Sequence, residues 1–209
     1  PKNSWAPPPF HPYRWSWLLS NFAMIKNNEL GVIPTDTLYG LVGSAFSPKA
    51  VEKIYQLKKR DPSKPLIVLI TSWLDLEKFG AEISPAGKKN LKKIWPGPVS
   101  VILPAKNKKF TYLHRGTQTI AFRWPRNEQL QKILKKTGPL VAPSANPEGL
   151  PPATTVAEAK KYFGRKIDFY KNGGKITGKP STLIKLQNGK IEIIRGCPLD
   201  AKKKINRRA

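Results

Sequence analysis

The sequence VIPTDTLYGL at residues 32–41, with the segment that follows it to residue 70, is the most informative part of the chain. A short helical pattern in that segment ends in KKR at residues 58–60, and a loop over residues 61–65 leads into the apolar run LIVLI at residues 66–70. Hydroxyl groups thus come after one strand, and cations precede the next. Hydroxyls orient a small polar ligand, and Arg and Lys neutralise phosphate, so this order suits a site for both.

Helical patterns alternate with apolar runs along the rest of the chain, which predicts an α/β domain with an open twisted mixed sheet and flanking helices. Ser47, Ser72 and Ser84 are predicted helix N-caps. Further helices are predicted over residues 15–26, 127–137 and 156–163, and a basic loop over 106–115. Strands are predicted over residues 30–33, 66–70, 99–103, 119–123, 140–142 and 168–170, with a closing hairpin of 182–186 and 191–194.

The composition fits one domain with appendages. The chain has 209 residues, of which 39% are hydrophobic and 24% are charged. We predict a Pro- and aromatic-rich arm over residues 1–14, a catalytic domain over 15–200 and a basic tail over 201–209. No apolar stretch approaches the roughly 20 residues of a membrane span, and the N-terminus lacks the pattern of a secretory signal. Cys197 is the single cysteine, so we expect it to be buried and inert, in a protein of the reducing cytoplasm.

The chain is strongly basic. It carries 38 Lys and Arg residues against 13 Asp and Glu residues, a net charge of +25. Such an excess points to nucleic acid, nucleotide phosphates or an anionic membrane face. A basic but merely solvated surface explains the same number, so charge alone names no reaction.

Several common site motifs are missing or incomplete. His11 and His114 stand far apart without Cys or carboxylate companions, so no zinc site is readable. The segment GGKITGK at residues 173–179 resembles a phosphate loop but continues with Pro180 instead of Ser or Thr. We interpret it as a glycine-rich turn.

Four segments instead place polar groups or cations next to apolar strands. They are Thr35–Thr37, the cations Lys58, Arg60 and Lys64, the strand that ends at Arg123, and Ala142–Asn146. Each alone has a structural explanation, such as a turn or a solvated helix end. Together they predict one anion-binding hollow at a sheet edge.

At these residues the chain resembles the YrdC-type threonylcarbamoyl-adenylate synthase family, in its short form. The resemblance implies the YrdC-like (dsRNA-binding-type) α/β twist. It also implies synthesis of threonylcarbamoyl-AMP and pyrophosphate from L-threonine, bicarbonate or CO2, and ATP, for threonylcarbamoyladenosine in tRNA. The matching segments are Pro34–Leu41, Leu57–Leu69, residues 95–104, Ala121–Pro125, Ala142–Asn146, residues 172–174 and 180–182, and Arg195-Gly196.

The resemblance also implies roles for residues. The catalytic set is Lys58, Arg60, Ser144 and Asn146; the ATP set is Arg60, Lys64, Thr119, Ser144 and Arg195; the L-threonine set is Thr37, Arg123, Ala142 and Ser181. Mg²⁺ is expected to bind mainly through the phosphates, with Asp36 as a weak candidate ligand, and a downstream threonylcarbamoyl-transferase complex is the expected partner. The residues Pro147-Glu148-Gly149 and Pro151-Pro152 depart from the family's turn.

Two alternatives stay open. The +25 charge also suits a non-catalytic RNA-binding module of the same fold, which would bind tRNA or other RNA with a steep salt dependence. A paralogue of the family that acts on a different acyl acceptor is a third option that the sequence leaves open.

Overall fold

The computed structural model describes residue 25 and residues 28–196, apart from 188–189. The predicted N-terminal arm, nearly all of the predicted helix over residues 15–26, Cys197 and the basic tail therefore lie outside the described residues. The turn of the predicted hairpin, at residues 188–189, lies outside them as well.

The described residues form one nine-stranded mixed sheet with flanking helices, which confirms the predicted fold class. The helices are α1 (Pro48–Lys58), α2 (Trp73–Lys78), α3 (Pro85–Ile94), α4 (Thr111–His114), α5 (Glu128–Thr137) and α6 (Val156–Phe163). Two 3₁₀ turns cover Lys108–Phe110 and Gly164–Lys166. The strands are β1 (Leu30–Pro34), β2 (Tyr39–Ser44), β3 (Ile67–Leu69), β4 (Val99–Pro104), β5 (Thr119–Arg123), β6 (Leu140–Val141), β7 (Phe169–Tyr170), β8 (Thr182–Gln187) and β9 (Lys190–Arg195).

The order of strands across the sheet is β7-β1-β2-β6-β3-β5-β4-β8-β9. Strand β5 lies between β3, to which it is parallel, and β4, to which it is antiparallel. Strand β8 runs parallel to β4 and pairs with β9 as the predicted hairpin. This order brings the last residues of β5 and β6 and the start of β8 near the turn between β1 and β2.

The predicted caps start their helices. The Ser47 side chain accepts a hydrogen bond from the amide of Ala50, and the Ser72 and Ser84 side chains cap α2 and α3 in the same way. Pro48 occupies the first turn of α1, where a missing amide hydrogen costs no hydrogen bond. Ser47 and Pro48 thus fix where α1 begins, and the helix ends at Lys58, whose side chain contacts the carbonyl of Ser144.

One strand of the sheet is not predicted by the sequence pattern. Residues Tyr39–Ser44 begin within the polar turn after β1, yet they form β2, antiparallel to β1 with Gly43 opposite Leu30. Gly40 and Gly43 obscure the strand because glycine has low strand propensity. At Gly43 the small residue is required, since a Cβ would lie 2.7 Å from the Leu30 side chain.

The predicted basic loop over residues 106–115 is also partly wrong. It contains the 3₁₀ turn Lys108–Phe110 and the short helix α4. The residue that caps the C-terminus of α4, Arg115, has a left-handed conformation with φ of 50°. Phe110 and Leu113 are buried in the core, and their burial stabilises this turn where the Lys residues around it indicate a loop.

The two faces of the sheet have different roles. Val68, Val101 and Phe122 point from the central strands into the main core, together with side chains of α1 and α3. Side chains alternate between faces along a strand, so their neighbours Ile67, Ile102 and Ala121 point to the opposite face. Helix α5 packs on part of that face, against β1, β2, β3 and β6. Beside it, the candidate site extends from the turn between β1 and β2 along the strands β3, β5, β4 and β8.

Candidate active site

A pocket of about 120 Å³ lies where the β1–β2 turn meets the ends of β5 and β6 and the start of β8. All four residues of the expected L-threonine set line it, together with Arg60, Ser144 and Arg195. The remaining lining residues are Thr35, Leu38, Tyr39, Gly40, Pro65, Leu66, Ile67, Pro143, Pro152 and Pro180. Side chains from separate segments of the sequence thus converge on one hollow.

Arg123 is the buried cation of this pocket. It is 4% exposed, its Nη1 donates a hydrogen bond to Thr37 Oγ1 at 2.9 Å, and its Nη2 lies 3.1 Å from Asp36 Oδ1. Burial lowers the pKa of Arg123, and the neighbouring Asp36 carboxylate opposes that shift. The Nε of Arg123 has no hydrogen-bond partner among the described residues. A buried guanidinium with an unused donor is suited to a carboxylate ligand.

Two hydroxyl groups are held in fixed positions beside Arg123. Thr37 Oγ1 lies 3.2 Å from Thr35 Oγ1, whose own hydrogen bond to the Leu38 carbonyl closes the turn after β1. Ser181 Oγ lies 2.9 Å from Ser100 Oγ, and both serines are buried. Hydroxyls oriented in this way can donate to, or accept from, a small polar ligand without further ordering.

A second cavity of about 320 Å³ adjoins the first along the open face of the sheet. Ile67, Ile102, Ala121 and Leu183 give it an apolar floor on four neighbouring strands. Lys64 and Thr119 of the expected ATP set line it, as do Ser63 and Thr117. Four residues belong to the walls of both cavities, namely Arg60, Pro65, Ile67 and Arg195.

Arg60 and Arg195 form a cationic seam between the two cavities. Arg60 donates to the carbonyls of Lys64 at 3.0 Å and Pro65 at 3.3 Å, and Arg195 donates to that of Ser181 at 3.4 Å. Within the described part of the chain, neither arginine forms an ion pair. Partial burial of its guanidinium and, next, the charge of Arg60 lower the pKa of Arg195, although the residue as a whole is exposed. Two guanidinium groups that repel each other, and that donate to carbonyls in the part of the chain that the structure describes, are suited to a polyanion.

Lys58 and Asn146 of the expected catalytic set do not line either cavity. Lys58 is 2% exposed and donates from Nζ to the carbonyls of Ser144 at 2.6 Å and Asn146 at 2.5 Å. Burial and, to a lesser degree, Arg60 lower its pKa to about 8. The alternative interpretation of Lys58 as a solvated helix end is therefore wrong, because its ammonium holds the loop that presents Ser144 to the pocket.

Lys64 and Thr119 lie at the outer side of the second cavity. The Lys64 ammonium is 2.6 Å from the Glu148 carboxylate, and Thr119 Oγ1 is 3.1 Å from Thr117 Oγ1. Both side chains are accessible from solvent. The structure therefore separates the expected ATP set into an inner part, with Arg60, Ser144 and Arg195, and an outer part.

Comparison with known proteins shows which family the chain belongs to. The Sua5/YciO/YrdC family model, described as "Telomere recombination", matches residues 23–196. The chain belongs to this family. The match covers the whole described sheet, including the β1–β2 turn and the hairpin that carries Arg195.

Named relatives in the Sua5/YciO/YrdC family are similar over most of the chain. It is 33% identical over 185 residues to a threonylcarbamoyl-AMP synthase of Pyrococcus abyssi, covering 87% of this chain and 54% of that protein. It is 32% identical to one of Thiobacillus denitrificans, covering 81% of this chain and 90% of that protein. Among solved structures, P. abyssi Sua5 complexed with L-threonine matches with a TM-score of 0.80 at 30% identity, over 95% of this chain and 58% of that one. This chain thus spans little more than half of the Pyrococcus protein.

Sequence reasoning missed several residues that build the site of this family member. Ser100 supports Ser181, and Tyr39 accepts a hydrogen bond from the amide of Gly173 and donates to the carbonyl of Gly174. The glycine-rich turn therefore lies over the site, and at Gly178 a Cβ would collide with the Thr37 carbonyl oxygen. Ser100 could have been found from the sequence, because it alternates with buried residues on β4.

The side chains of the site do not form a cage for Mg²⁺. Among the described residues there is no group of three or more His, Cys, Asp or Glu side chains that could hold a metal ion. The candidate Asp36 directs its carboxylate to Arg123. These residues do not fit a Mg²⁺ site built from protein carboxylates.

In addition, no helix of the described residues is long and apolar enough to cross a membrane.

Proposed function

We propose that this chain synthesises threonylcarbamoyl-AMP from L-threonine, bicarbonate or CO2, and ATP. The observation that carries the proposal is the pair of adjoining cavities that share Arg60 and Arg195. One cavity has the size and the polar groups for a small amino acid, and the other has an apolar floor and cations for a nucleotide. The names of the relatives described above support the same reaction.

L-Threonine is assigned to the smaller pocket. Its carboxylate pairs with Arg123, where the unpartnered Nε offers a donor, and its hydroxyl meets Thr37 or Ser181. Ala142, at the end of β6, gives the pocket a small wall. This orientation leaves the amine directed to the seam, where its nitrogen attacks the carbon of CO2 and loses a proton to give a carbamate.

ATP is assigned to the larger cavity, with the adenosine part on the apolar floor and the phosphates at the seam. The carbamate oxygen attacks the α-phosphorus, the bond to the bridging oxygen breaks, and pyrophosphate leaves with its electron pair. Arg60 and Arg195 neutralise the charge that develops at the phosphates, and Ser144 adds a hydroxyl. No nucleophile from the protein takes part, so catalysis rests on holding the two substrates in contact.

Magnesium enters this proposal with the nucleotide. Mg²⁺ keeps most of its ligands from phosphate and water in many ATP sites, and the described residues of this chain offer no carboxylate cluster for it. We therefore assign Mg²⁺ to the MgATP substrate and route no step through a protein-bound ion.

The product also defines the partners of the reaction. A mixed anhydride of a carbamate and AMP is an activated acyl donor, so a threonylcarbamoyl-transferase complex that modifies tRNA is the expected consumer. We place the reaction in the cytoplasm, where threonine, ATP and tRNA are all present.

Pyrophosphate release from ATP tests the proposal directly. We expect release only when L-threonine and bicarbonate are both present, with threonylcarbamoyl-AMP detected by mass spectrometry. Release that ignores either addition would reject the synthase. Tight, salt-sensitive tRNA binding without any response to ATP and threonine would instead favour the RNA-binding module that the +25 charge permits.

A further inference from the structure

We propose that Glu148 is a positioning residue, which holds the loop of Arg60 and Lys64 at the seam between the two cavities. The inference rests on the proposed function for its kinetic consequence but on geometry alone for its structural one. Glu148 lies in the turn Pro147–Gly149, which the resemblance to the family leaves without a role.

The Glu148 carboxylate uses both oxygens to hold that loop. Its Oε1 lies 2.6 Å from Lys64 Nζ, and its Oε2 accepts a hydrogen bond from the amide of Asp61 at 2.9 Å. The hydrogen bond from Lys64 and then that from Asp61 lower the pKa of Glu148, because both donors favour its carboxylate form. One side chain therefore fixes the loop by a backbone group and a side chain together.

Glu148 is itself fixed by its own backbone. Its amide donates to the carbonyl of Lys58 at 2.6 Å, and Asn146 Nδ2 donates to the carbonyls of Pro147 at 2.9 Å and Leu150 at 2.6 Å. Lys58 Nζ binds the preceding loop at Ser144 and Asn146. The carboxylate thus projects from a turn that is braced on the end of α1.

The held loop in turn orients Arg60. The Nε and Nη2 of Arg60 donate to the carbonyls of Lys64 and Pro65, the residues that end the loop. A displacement of the loop therefore displaces the guanidinium at the seam. Glu148 acts on ATP through Arg60 and Lys64, which makes it a positioning residue and not a catalytic one.

Amide hydrogen exchange tests the structural half without any substrate. In Glu148→Ala we expect the Asp61 amide, resolved by NMR, to exchange faster, since it loses its acceptor. Glu148→Gln keeps a carbonyl oxygen and should restore part of the protection. Glu82→Ala is the matched control, because Glu82 forms an exposed pair with Lys106 away from both cavities. Unchanged exchange at Asp61 in Glu148→Ala would overturn the proposal, whether or not the protein proves to be a synthase.

Kinetic measurements distinguish two roles of Glu148: holding the loop of Arg60 and Lys64, or competing with phosphate for Lys64. For Glu148→Ala we expect the KM for ATP to rise about fivefold, a modest change because the Lys64 pair is partly exposed. The kcat and the KM for threonine should stay within about twofold, as for a mutation that removes uniform binding of one substrate. Glu148→Gln should lie between wild type and Glu148→Ala. A KM for ATP that falls equally in both variants would overturn the proposal, because Glu148 would then only compete with phosphate for Lys64.

Discussion

The two cavities of the site differ in how their polar groups are held. In the smaller one, Arg123, Thr37 and Ser181 are 4%, 8% and 5% exposed and contact other buried polar groups. In the larger one, the Lys64 side chain is 54% exposed, and Arg195, which lines both cavities, is exposed at the sheet edge. The polar groups of the first cavity are therefore buried and hydrogen-bonded to one another, and the second cavity is an open cationic surface.

This difference in burial means that the two cavities bind their ligands by different electrostatic effects. A buried guanidinium acts in a medium of low dielectric, so its interaction with a carboxylate is strong and depends on geometry. Exposed cations act through water and are screened by salt, but several together attract a polyanion from a distance. We therefore expect the smaller cavity to select its ligand and the larger one to gather charge.

The largest effect is expected when the buried cation is removed. In Arg123→Ala, Asp36 loses its ion pair, and breaking one partner of a buried pair costs about 3–5 kcal/mol. We expect kcat/KM for threonine to fall at least about 100-fold and the Tm to drop. Steady-state kinetics and thermal unfolding measure these two effects. Arg126→Ala, at an exposed position nearby, is the control. An unaltered KM for threonine in Arg123→Ala would contradict the assignment of threonine to the smaller, buried cavity.

Removal of the seam cation should give a smaller and more selective effect. Arg60→Ala loses a charge-assisted phosphate contact worth about 1.5–3 kcal/mol. The KM for ATP should rise about tenfold or more, while threonine affinity and the Tm change little, because Arg60 is only half-buried. Isothermal titration with ATP and with threonine separates the two, and Lys89→Ala on the exposed side of α3 controls for the loss of one positive charge. An ATP affinity equal to wild type would count against the seam.

The buried ammonium of Lys58 gives a pH dependence of stability. Its pKa is lowered from 10.5 to about 8 in the folded chain. Between these values the unfolded chain binds more protons, so the Lys58 contribution is present above pH 10.5 and lost as pH falls through about 8. Urea unfolding at about pH 8, 9 and 10 should show a steeper rise of the free energy of unfolding in wild type than in Lys58→Met. The difference is at most about 1.4 kcal/mol per pH unit, and parallel slopes would refute it.

Added salt should produce the smallest effect, and it tests directly whether the two cavities differ in their exposure to solvent. Raising KCl from about 0.05 to about 0.5 M shortens the screening length several-fold. We expect the KM for ATP to rise about threefold and the KM for threonine to stay nearly constant. Initial rates at each salt concentration measure both. If the KM for ATP and the KM for threonine changed equally with salt, the larger cavity would not be more exposed to solvent than the smaller one when the substrates bind.

Local patterns were sufficient for much of the fold. Ser47, Ser72 and Ser84 start helices as predicted, because a cap is decided by a side chain and an amide three residues away. The strand over residues 39–44 could not be predicted in this way, because two glycines interrupt its apolar pattern and its pairing with β6 joins distant segments of the chain. Its glycines are explained only by the side chains that approach them across the sheet.

The site was predictable as a set of residues but not as an arrangement. Cations and hydroxyls beside apolar strands indicated Thr37, Arg60, Arg123 and Ser144, and these line one pocket. The sequence could not show that Lys58 points inward to carbonyls, since its charge fits a solvated helix end equally well. Nor could it show the contact of Glu148 with the loop of Lys64, because the two lie 84 positions apart in the chain.

A crystal structure of the protein with L-threonine and a non-hydrolysable ATP analogue is the decisive test of the two-cavity site. We predict the threonine carboxylate at Arg123 and the phosphates at Arg60 and Arg195, with the threonine amine facing the α-phosphate across the seam. Ligands bound on separate faces, or phosphates away from both arginines, would contradict it.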